Sequence, residues 1–239
     1  MAQESQKYPK NEIIITVDGP SGVGKDDTLE LLCAHLKFIN LETGSLYRAI
    51  ALYVILQFGD QATTDQITKA AQEMADSGDL FVYAKDPRTR DDNLEQFVAT
   101  VSSVPDVRKI VMKYQHDFAA YPPNLPDGSR PRGVFISGRN VGVGVFPAAK
   151  LKFYLNATLY VKAERRFKQM KEKGVDITFE QVYETMKARD EKDKNRSAEA
   201  GKMDMAEDAI LIDNSYIKLG YTFDVMVQII KERLDQNKL

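Results

Sequence analysis

Apolar residues follow two alternating patterns along this chain, one typical of buried strands and one typical of helices. Ile13–Val17 is a continuous apolar run, which predicts a strand covered on both faces, as in a parallel sheet. Gly133–Ser137, Lys150–Asn156 and Ala209–Ile212 predict further strands, and the first helix is expected at about Asp27–Leu36. Alternating strands and helices without an internal repeat predict a three-layer α/β sandwich.

Further segments have the composition and end signals of helices. The predicted helices are Val107–Ala119, Tyr160–Lys173, Thr178 to about Arg196, and Tyr221–Leu234. Thr178 with Gln181 three residues later matches a capping box, which marks the start of the third helix. Gly174 suits the end of the helix before it, because glycine readily adopts the left-handed conformation found there.

The segment between the first helix and residue 107 combines an apolar part with a polar part. Phe38–Phe58 predicts a short strand, a turn at Thr43–Gly44 and a long apolar helix. Residues 60–107 are polar, with one strand predicted at Leu80–Ala84 and a charged tract after it. We interpret this polar region as a small insertion that carries the substrate.

Composition narrows the class of protein. The chain has 239 residues and a formal net charge of −2, which indicates one large domain with no general attraction to nucleic acid or anionic membranes. The first twelve residues are polar and lack the apolar core of a signal peptide. The longest apolar stretch, Ala49–Phe58, is too short to span a bilayer. We therefore expect a cytoplasmic protein, and nothing in the pattern suggests more than a monomer.

A glycine-rich motif typical of a functional site follows the first predicted strand directly. The spacing Gly19-xxxx-Gly24-Lys25 fits a phosphate loop, whose backbone N–H groups surround phosphate oxygens while the lysine adds a positive charge. The next position normally carries Ser or Thr to hold Mg²⁺, but here it is Asp26. The motif therefore predicts nucleotide binding and leaves the metal site to be explained.

A set of motifs in fixed order extends well beyond this loop. The sequence contains, from first to last, GPSGVGK, ETGSLYR, SVPDVR, SGRNVG, VFP and ARDEKDKNR. In order and rough spacing these resemble the bacterial cytidylate kinases, over nearly the whole chain from about Ile13 to Leu234. The phosphate loop alone is shared by many NTPases, whereas the later motifs are far more specific.

The resemblance implies a P-loop NTPase fold and the transfer of the γ-phosphoryl group of ATP, with Mg²⁺, to CMP or dCMP. It implies a core formed by residues 11–60, 108–159 and 205–239. A monophosphate-binding insertion would then occupy residues 61–107, and a helical lid residues 160–204. No nucleic acid or membrane partner is implied.

The same resemblance assigns roles to individual residues. The loop residues expected to bind ATP are Gly19, Ser21, Gly22, Val23, Gly24, Lys25, Asp26 and Asp27. The residues expected to bind CMP are Thr43, Tyr47, Arg48, Arg108, Arg139, Asn140, Arg189, Asp193 and Arg196. The residues expected to act on the transferring phosphoryl group are Lys25, Arg139, Arg165 and Arg166. Arginine suits phosphate because its planar fork can donate two hydrogen bonds to one group.

The chain departs from the family pattern mainly around the metal. Asp26 and Asp27 stand where the family has Gly-Thr or Ser-Thr, and Ser137 and Asn140 replace two aspartates. A carboxylate about 5 Å from a phosphate oxygen costs roughly 3 kcal/mol at an effective dielectric constant of about 20. Aspartate is also a good ligand of Mg²⁺, so Asp26 or Asp27 could take over the metal. Either aspartate could instead act as an ordinary residue of a helix start.

Three functional hypotheses follow. The first is an active (d)CMP kinase with a rearranged metal site. The second is a pseudo-kinase that binds a nucleotide or a partner without turnover, since acceptor-site residues are retained while metal-site residues are lost. The third is a kinase for another nucleoside monophosphate, because Ala99 stands where the family has a serine that meets the cytosine base, although Thr100 is adjacent.

Overall fold

A parallel sheet organises the chain. The computed structural model describes residues 10–91, 94–195 and 202–234. In these ranges five strands form one sheet: β1 (Ile14–Asp18), β2 (Ile39–Glu42), β3 (Val134–Gly138), β4 (Leu151–Asn156) and β5 (Ile210–Asp213). Their spatial order is β2-β3-β1-β4-β5, and the pairs β1–β3, β1–β4 and β4–β5 run parallel. The predicted α/β class and the predicted strands around residues 13–17, 133–137, 150–156 and 209–212 are confirmed.

Helices connect the strands. In chain order they are α1 (Lys25–Leu36), α2 (Thr43–Phe58), α3 (Thr64–Ser77), α4 (Asp79–Tyr83), α5 (Glu95–Ser103), α6 (Pro105–Ala120), α7 (Val141–Gly144), α8 (Leu159–Glu172), α9 (Phe179–Lys194) and α10 (Leu219–Arg233). The predicted capping box is confirmed, because Thr178 accepts a hydrogen bond from the Gln181 N–H while the Gln181 side chain accepts one from the Thr178 N–H. No helix in the described part of the chain is long and apolar enough to cross a membrane.

The chain divides into two compact units. One comprises residues 1–12 and 41–123, and the other comprises residues 13–40 and 124–239. The first contains α2 to α6, and the second contains most of the sheet with α1 and α7 to α10. The assignment of residues 61–107 to a monophosphate-binding insertion and of residues 160–204 to a lid is functional, and it remains a prediction.

The second unit has a hydrophobic core on one face of the sheet. Val17 and Phe153 are opposite each other in the β1–β4 register, and both are buried with Leu32 of α1 and Met226 of α10. The other face is more polar. Thr16 pairs with Lys152 in that register, and both are buried close to α7. The sheet is therefore covered on both faces, as the continuous apolar runs predict.

The second unit also brings together the chain segments that leave the sheet at one edge. Gly19 follows β1, Arg139 follows β3, Asn156 ends β4 and Asn214 follows β5. In open parallel sheets, ligands bind in the crevice outside the carboxyl ends of the strands. The fold therefore places four polar or glycine-containing segments at the edge where a ligand is expected.

Two local predictions in the first unit are wrong. Leu80–Ala84 was expected to be a strand, but residues 79–83 form α4, in which Leu80 is fully buried and Val82 is exposed. Gly78, whose φ is 81°, ends α3 and starts α4 in the left-handed conformation, so the chain turns directly from one helix into the next. The turn expected at Thr43–Gly44 is instead the start of α2, which follows β2 without a loop.

Candidate active site

The candidate phosphate loop connects β1 to α1 and depends on glycine. Gly19 has a φ of 145°, and a Cβ atom at this position would lie 2.1 Å from the Leu155 carbonyl oxygen of β4. A side chain is therefore excluded where the loop leaves the sheet. Val23, near the end of the loop, is fully buried, and α1 begins at Lys25 rather than at the predicted Asp27.

The loop lysine lies over the backbone of its own loop. Lys25 Nζ donates hydrogen bonds to the carbonyl oxygens of Gly19 at 2.7 Å and Pro20 at 2.9 Å. Both acceptors are neutral. An anionic oxygen is a stronger acceptor for an ammonium group than a carbonyl, so a phosphate entering the loop can replace them.

The residues after the lysine differ in their surroundings. Asp26 and Asp27 are exposed in the first turn of α1. Thr28 is fully buried, and its Oγ1 donates to the Gly24 carbonyl oxygen at 2.8 Å, so an exposed metal ligand must come from another residue. Ser137 Oγ, at the position of a family aspartate, is buried and has no hydrogen-bond partner among the described residues.

The Asp26 and Asp27 carboxylates are suitable ligands for a Mg²⁺ ion that binds together with a nucleotide. The described residues contain no cluster of three or more His, Cys, Asp or Glu side chains able to hold a metal by themselves. Magnesium is commonly bound by one or two carboxylates together with substrate phosphates, so a protein cage is not required. Exposed carboxylates directly after the phosphate loop supply the oxygen ligands that this mode of binding needs.

Arg139 links the loop to α9. Its Nη1 is 3.5 Å from the Gly19 carbonyl oxygen, and its Nη2 is 3.2 Å from Asp193 Oδ2. Asp193 lies in the last turn of α9 and is 4% exposed. Gly19, Lys25, Arg139 and Asp193 therefore meet at one place, and their roles in ligand binding remain a prediction.

The segment that carries Arg139 is held by Asp18, which the sequence analysis did not select. Asp18 Oδ1 accepts a hydrogen bond from the Val141 N–H at 2.8 Å, and Oδ2 accepts one from the Gly142 N–H at 2.7 Å. Burial raises the pKa of Asp18 to about 6, although these hydrogen bonds and the charges of Lys25 and Arg139 act to lower it. The feature of the sequence that could have pointed to Asp18 is its position, as a carboxylate at the end of a largely apolar strand.

Arg165 of α8 also reaches the loop. Its Nη1 donates to Asn214 Oδ1 at 3.0 Å and is 3.4 Å from the Val23 carbonyl oxygen, and its Nη2 donates to the Asn214 carbonyl oxygen at 2.8 Å. Asn214 was also missed, because only its position directly after a strand distinguishes it in the sequence. Arg166 is half-buried on the same helix.

The helices α8 and α9 contact each other and the loop. Lys162 of α8 is buried and forms an ion pair with Asp190 of α9. Met186 of α9 and Lys162 both lie against Gly22, since a Cβ atom at Gly22 would be 2.7 Å from Met186 Cε and 3.4 Å from Lys162 Cβ. The predicted lid segment therefore packs directly on the phosphate loop.

Four of the predicted CMP-binding residues belong to the first unit. Thr43, Tyr47 and Arg48 lie in the first two turns of α2, where Thr43 Oγ1 accepts a 2.7 Å hydrogen bond from Gln115 Nε2. Arg48 Nη1 donates to the Thr89 carbonyl oxygen at 3.3 Å. The fourth residue is Arg108, in the first turn of α6. All four are half-buried.

The remaining predicted residues are in the second unit or outside the described part. Asn140 is half-buried, and its carbonyl oxygen accepts the Gly144 N–H at 2.8 Å, which closes the single turn of α7. Arg189 is half-buried on α9. Arg196 lies outside the described residues. Its predicted role remains a prediction.

A family sequence model and several relatives of similar sequence point to one family. The sequence model of the family described as cytidylate kinase matches residues 15–232. A cytidylate kinase of Pasteurella multocida (strain Pm70) is 30% identical over 234 residues, covering 94% of this chain and 98% of the relative. A cytidylate kinase of Dichelobacter nodosus (strain VCS1703A) is 33% identical over 234 residues, covering 93% and 94%. One from Caldicellulosiruptor bescii is 31% identical over 221 residues, covering 87% and 91%.

Proposed function

This chain belongs to the cytidylate kinase family, and on that premise we propose that it transfers the γ-phosphoryl group of ATP to CMP or dCMP. The products would be ADP and CDP or dCDP. Membership of the family identifies the protein as a nucleoside monophosphate kinase. The choice of CMP or dCMP and the roles of individual residues are parts of the proposal.

One observation carries the proposal at the level of chemistry. Lys25 Nζ and Arg139 Nη1 both point at the carbonyl oxygen of Gly19, at 2.7 Å and 3.5 Å. Two cations from different segments share one neutral acceptor at the start of a phosphate loop. Because phosphoryl transfer depends on positioning and on neutralising negative charge, such a pair of cations is what the reaction requires.

On the donor side, Lys25 would bind the β- and γ-phosphates while the loop N–H groups surround them. Arg165 would approach the transferring group from α8, since its guanidinium already contacts the loop at Val23. Mg²⁺ bound with ATP would neutralise phosphate charge, and Asp26 or Asp27 would hold it.

On the acceptor side, Arg48, Arg139 and Arg196 would bind the monophosphate, whose double negative charge calls for several guanidinium groups. Arg108 would lie near the cytosine. Arg189 and Asp193 would lie near the ribose, where the Asp193 carboxylate can accept hydrogen bonds from hydroxyl groups. Thr43, Tyr47 and Asn140 are the other residues that the proposal assigns to CMP binding.

A coupled assay of ADP formation tests the proposal directly. The protein is mixed with ATP, Mg²⁺ and, in turn, CMP, dCMP, UMP, AMP and GMP. We expect turnover with CMP or dCMP that exceeds turnover with the other acceptors by at least about tenfold. A preference for UMP, AMP or GMP would contradict the proposed specificity, and Ala99 would then be the first residue to examine.

The non-catalytic alternative is an outcome of the same assay. Relatives named as cytidylate kinase give it no support, but the losses around the metal make it worth measuring. Binding of CMP, measured by calorimetry, without ADP formation from any acceptor would contradict the proposed reaction.

We further propose that the protein acts in cytoplasmic pyrimidine nucleotide metabolism as a monomer. Size-exclusion chromatography with light scattering tests the oligomeric state.

A further inference from the structure

Asn214 joins three segments of the second unit at the phosphate loop. The residue follows β5 directly and is 4% exposed. Its Nδ2 donates to the Val23 carbonyl oxygen at 2.7 Å, and its backbone N–H donates to the Asn156 carbonyl oxygen at 2.8 Å. Its Oδ1 accepts from Arg165 Nη1 at 3.0 Å. The backbone of this buried residue is thus anchored to β4, while its side chain binds both the loop and α8.

The hydrogen bond to Val23 sets the direction of an N–H group in the loop. In a trans peptide the carbonyl oxygen and the N–H of the next residue point in opposite directions. When Asn214 binds the Val23 oxygen, the Gly24 N–H points in the opposite direction, away from Asn214, within the plane of that peptide. Gly24 has a φ of 82°, and a Cβ atom there would have no atom of the described residues within 4 Å. Glycine is therefore needed for backbone conformation, and Asn214 is the side chain that fixes the adjoining peptide.

Asn214 also fixes the guanidinium that reaches the same carbonyl. Arg165 donates to both the side-chain and the backbone oxygen of Asn214, at 3.0 Å and 2.8 Å, beside Val23. We propose that Asn214 is a positioning residue for the donor phosphate chain, which it serves by aligning the Val23–Gly24 peptide and holding Arg165 against the loop. The inference rests on the proposed function, which assigns the loop to a phosphate ligand.

The test is calorimetric binding of ADP and of inorganic tripolyphosphate, without metal, to Asn214→Leu and Asn214→Asp. Leucine removes both side-chain hydrogen bonds at similar size, and aspartate is isosteric but cannot donate to Val23. We expect affinity for both ligands to fall about tenfold in Asn214→Leu and about a hundredfold in Asn214→Asp, in which a carboxylate is also brought near the loop. The affinity for CMP is expected to stay within about twofold.

A matched control is Asn40→Leu, because Asn40 Oδ1 is buried and, in the part of the chain that the structure describes, accepts no hydrogen bond. It should leave tripolyphosphate binding unchanged. A second readout is the energetic coupling between Asn214 and Arg165. Because both residues act on the Val23 carbonyl oxygen, Arg165→Met should weaken tripolyphosphate binding less when Asn214→Leu is already present than in the wild-type chain. If Asn214 only supported the fold, the effects of the two substitutions on tripolyphosphate binding would add. CMP binding would then weaken as much as tripolyphosphate binding.

The outcomes separate this inference from the proposed function. If the wild-type chain binds tripolyphosphate and Asn214→Asp binds it equally well, the positioning role is wrong and the proposed function stands. If Asn214→Leu does not fold, as judged by thermal unfolding, the isosteric aspartate variant alone decides. If the wild-type chain binds neither ADP nor tripolyphosphate, with or without Mg²⁺, the proposed function is contradicted, and this inference with it.

Discussion

Arg139 Nη2 and Asp193 Oδ2 lie 3.2 Å apart, and this ion pair joins the segment after β3 to the last turn of α9. Asp193 is 5% exposed at its side chain and Arg139 is 21% exposed. The family resemblance assigns both residues to one nucleotide, Arg139 to its phosphate and Asp193 to its ribose. The two opposite charges neutralise each other, so the proposed binding of CMP by both residues requires a redistribution of their contacts.

Asp193→Asn is expected to weaken both stability and acceptor binding. Removing one partner of a largely buried ion pair leaves the other charge poorly compensated, and we expect a loss of about 2 kcal/mol in the free energy of unfolding. Calorimetry should show weaker CMP binding with little change for ADP. Urea unfolding measures the first effect.

Asp176→Asn is the control, because Asp176 is fully exposed and lies 3.8 Å from Lys171. An exposed pair of this kind contributes little, so unfolding should change by less than about 0.5 kcal/mol. Equal stabilities of the two variants would show that the Arg139–Asp193 pair does not hold α9 in place.

Asp26→Asn is expected to change ATP binding in opposite directions with and without metal. Without Mg²⁺, removal of an exposed carboxylate beside the loop lowers repulsion and should tighten binding by about threefold to tenfold. With Mg²⁺, loss of a metal ligand should weaken binding. Glu30→Gln, one turn further along α1, should change the ATP affinity neither without nor with Mg²⁺. A shift in the same direction under both conditions would contradict a metal role for Asp26.

Asp18 should give the stability of the protein a specific pH dependence. Its pKa is about 6 in the folded chain, above the ordinary 3.8, because burial outweighs the Val141 and Gly142 N–H groups and the positive charges of Lys25 and Arg139. Tyr154, its partner in the β1–β4 register, also interacts with its charge. A raised folded pKa gives a contribution that is full below about 3.8 and is lost as pH rises through about 6. Between pH 4.5 and 7.5, wild-type unfolding free energy should therefore fall by about 2 kcal/mol relative to Asp18→Asn.

The measurement is urea unfolding of both proteins at several pH values. Asp18→Asn should be less stable at every pH, since an amide cannot accept both the Val141 and Gly142 N–H groups. A difference between the two proteins that does not vary with pH would mean that Asp18 titrates near its ordinary value.

Two glycines of the loop should respond very differently to alanine. Gly24→Ala meets no neighbour and carries only the cost of a left-handed φ, about 1–2 kcal/mol. Gly19→Ala places a Cβ atom 2.1 Å from the Leu155 carbonyl oxygen, so β4 or the loop must move, at about 3 kcal/mol or more. Denaturant unfolding of the two variants checks the order. Equal losses would contradict the tight contact between loop and sheet.

The sequence was most informative where local chemistry decides the structure. The first strand, the phosphate loop and the Thr178–Gln181 capping box were predictable because each depends on residues within a few positions of one another. The error at Leu80–Ala84 has a physical cause: a short apolar run does not distinguish a strand from a helix turn. Tertiary packing determined the helical conformation of this segment, in which Leu80 is the one fully buried residue of α4.

The contacts that complete the site were beyond sequence reasoning because they join distant segments. Asn214 and Arg165 are 49 positions apart, and Asp18 and Val141 are 123 positions apart. Neither Asp18 nor Asn214 belongs to a charged cluster or a motif with fixed spacing. Only the arrangement of strand ends at one edge of the sheet brings these residues to the loop.

The most direct test of the central claim follows the phosphoryl group itself. The protein is mixed with ATP labelled on the γ-phosphate, Mg²⁺ and CMP, and the products are separated. We predict labelled CDP in the wild-type reaction and at least about a hundredfold less with Lys25→Met, which removes the cation over the loop. Absence of labelled CDP from CMP, and of labelled dCDP from dCMP, under conditions where both nucleotides bind would contradict the account.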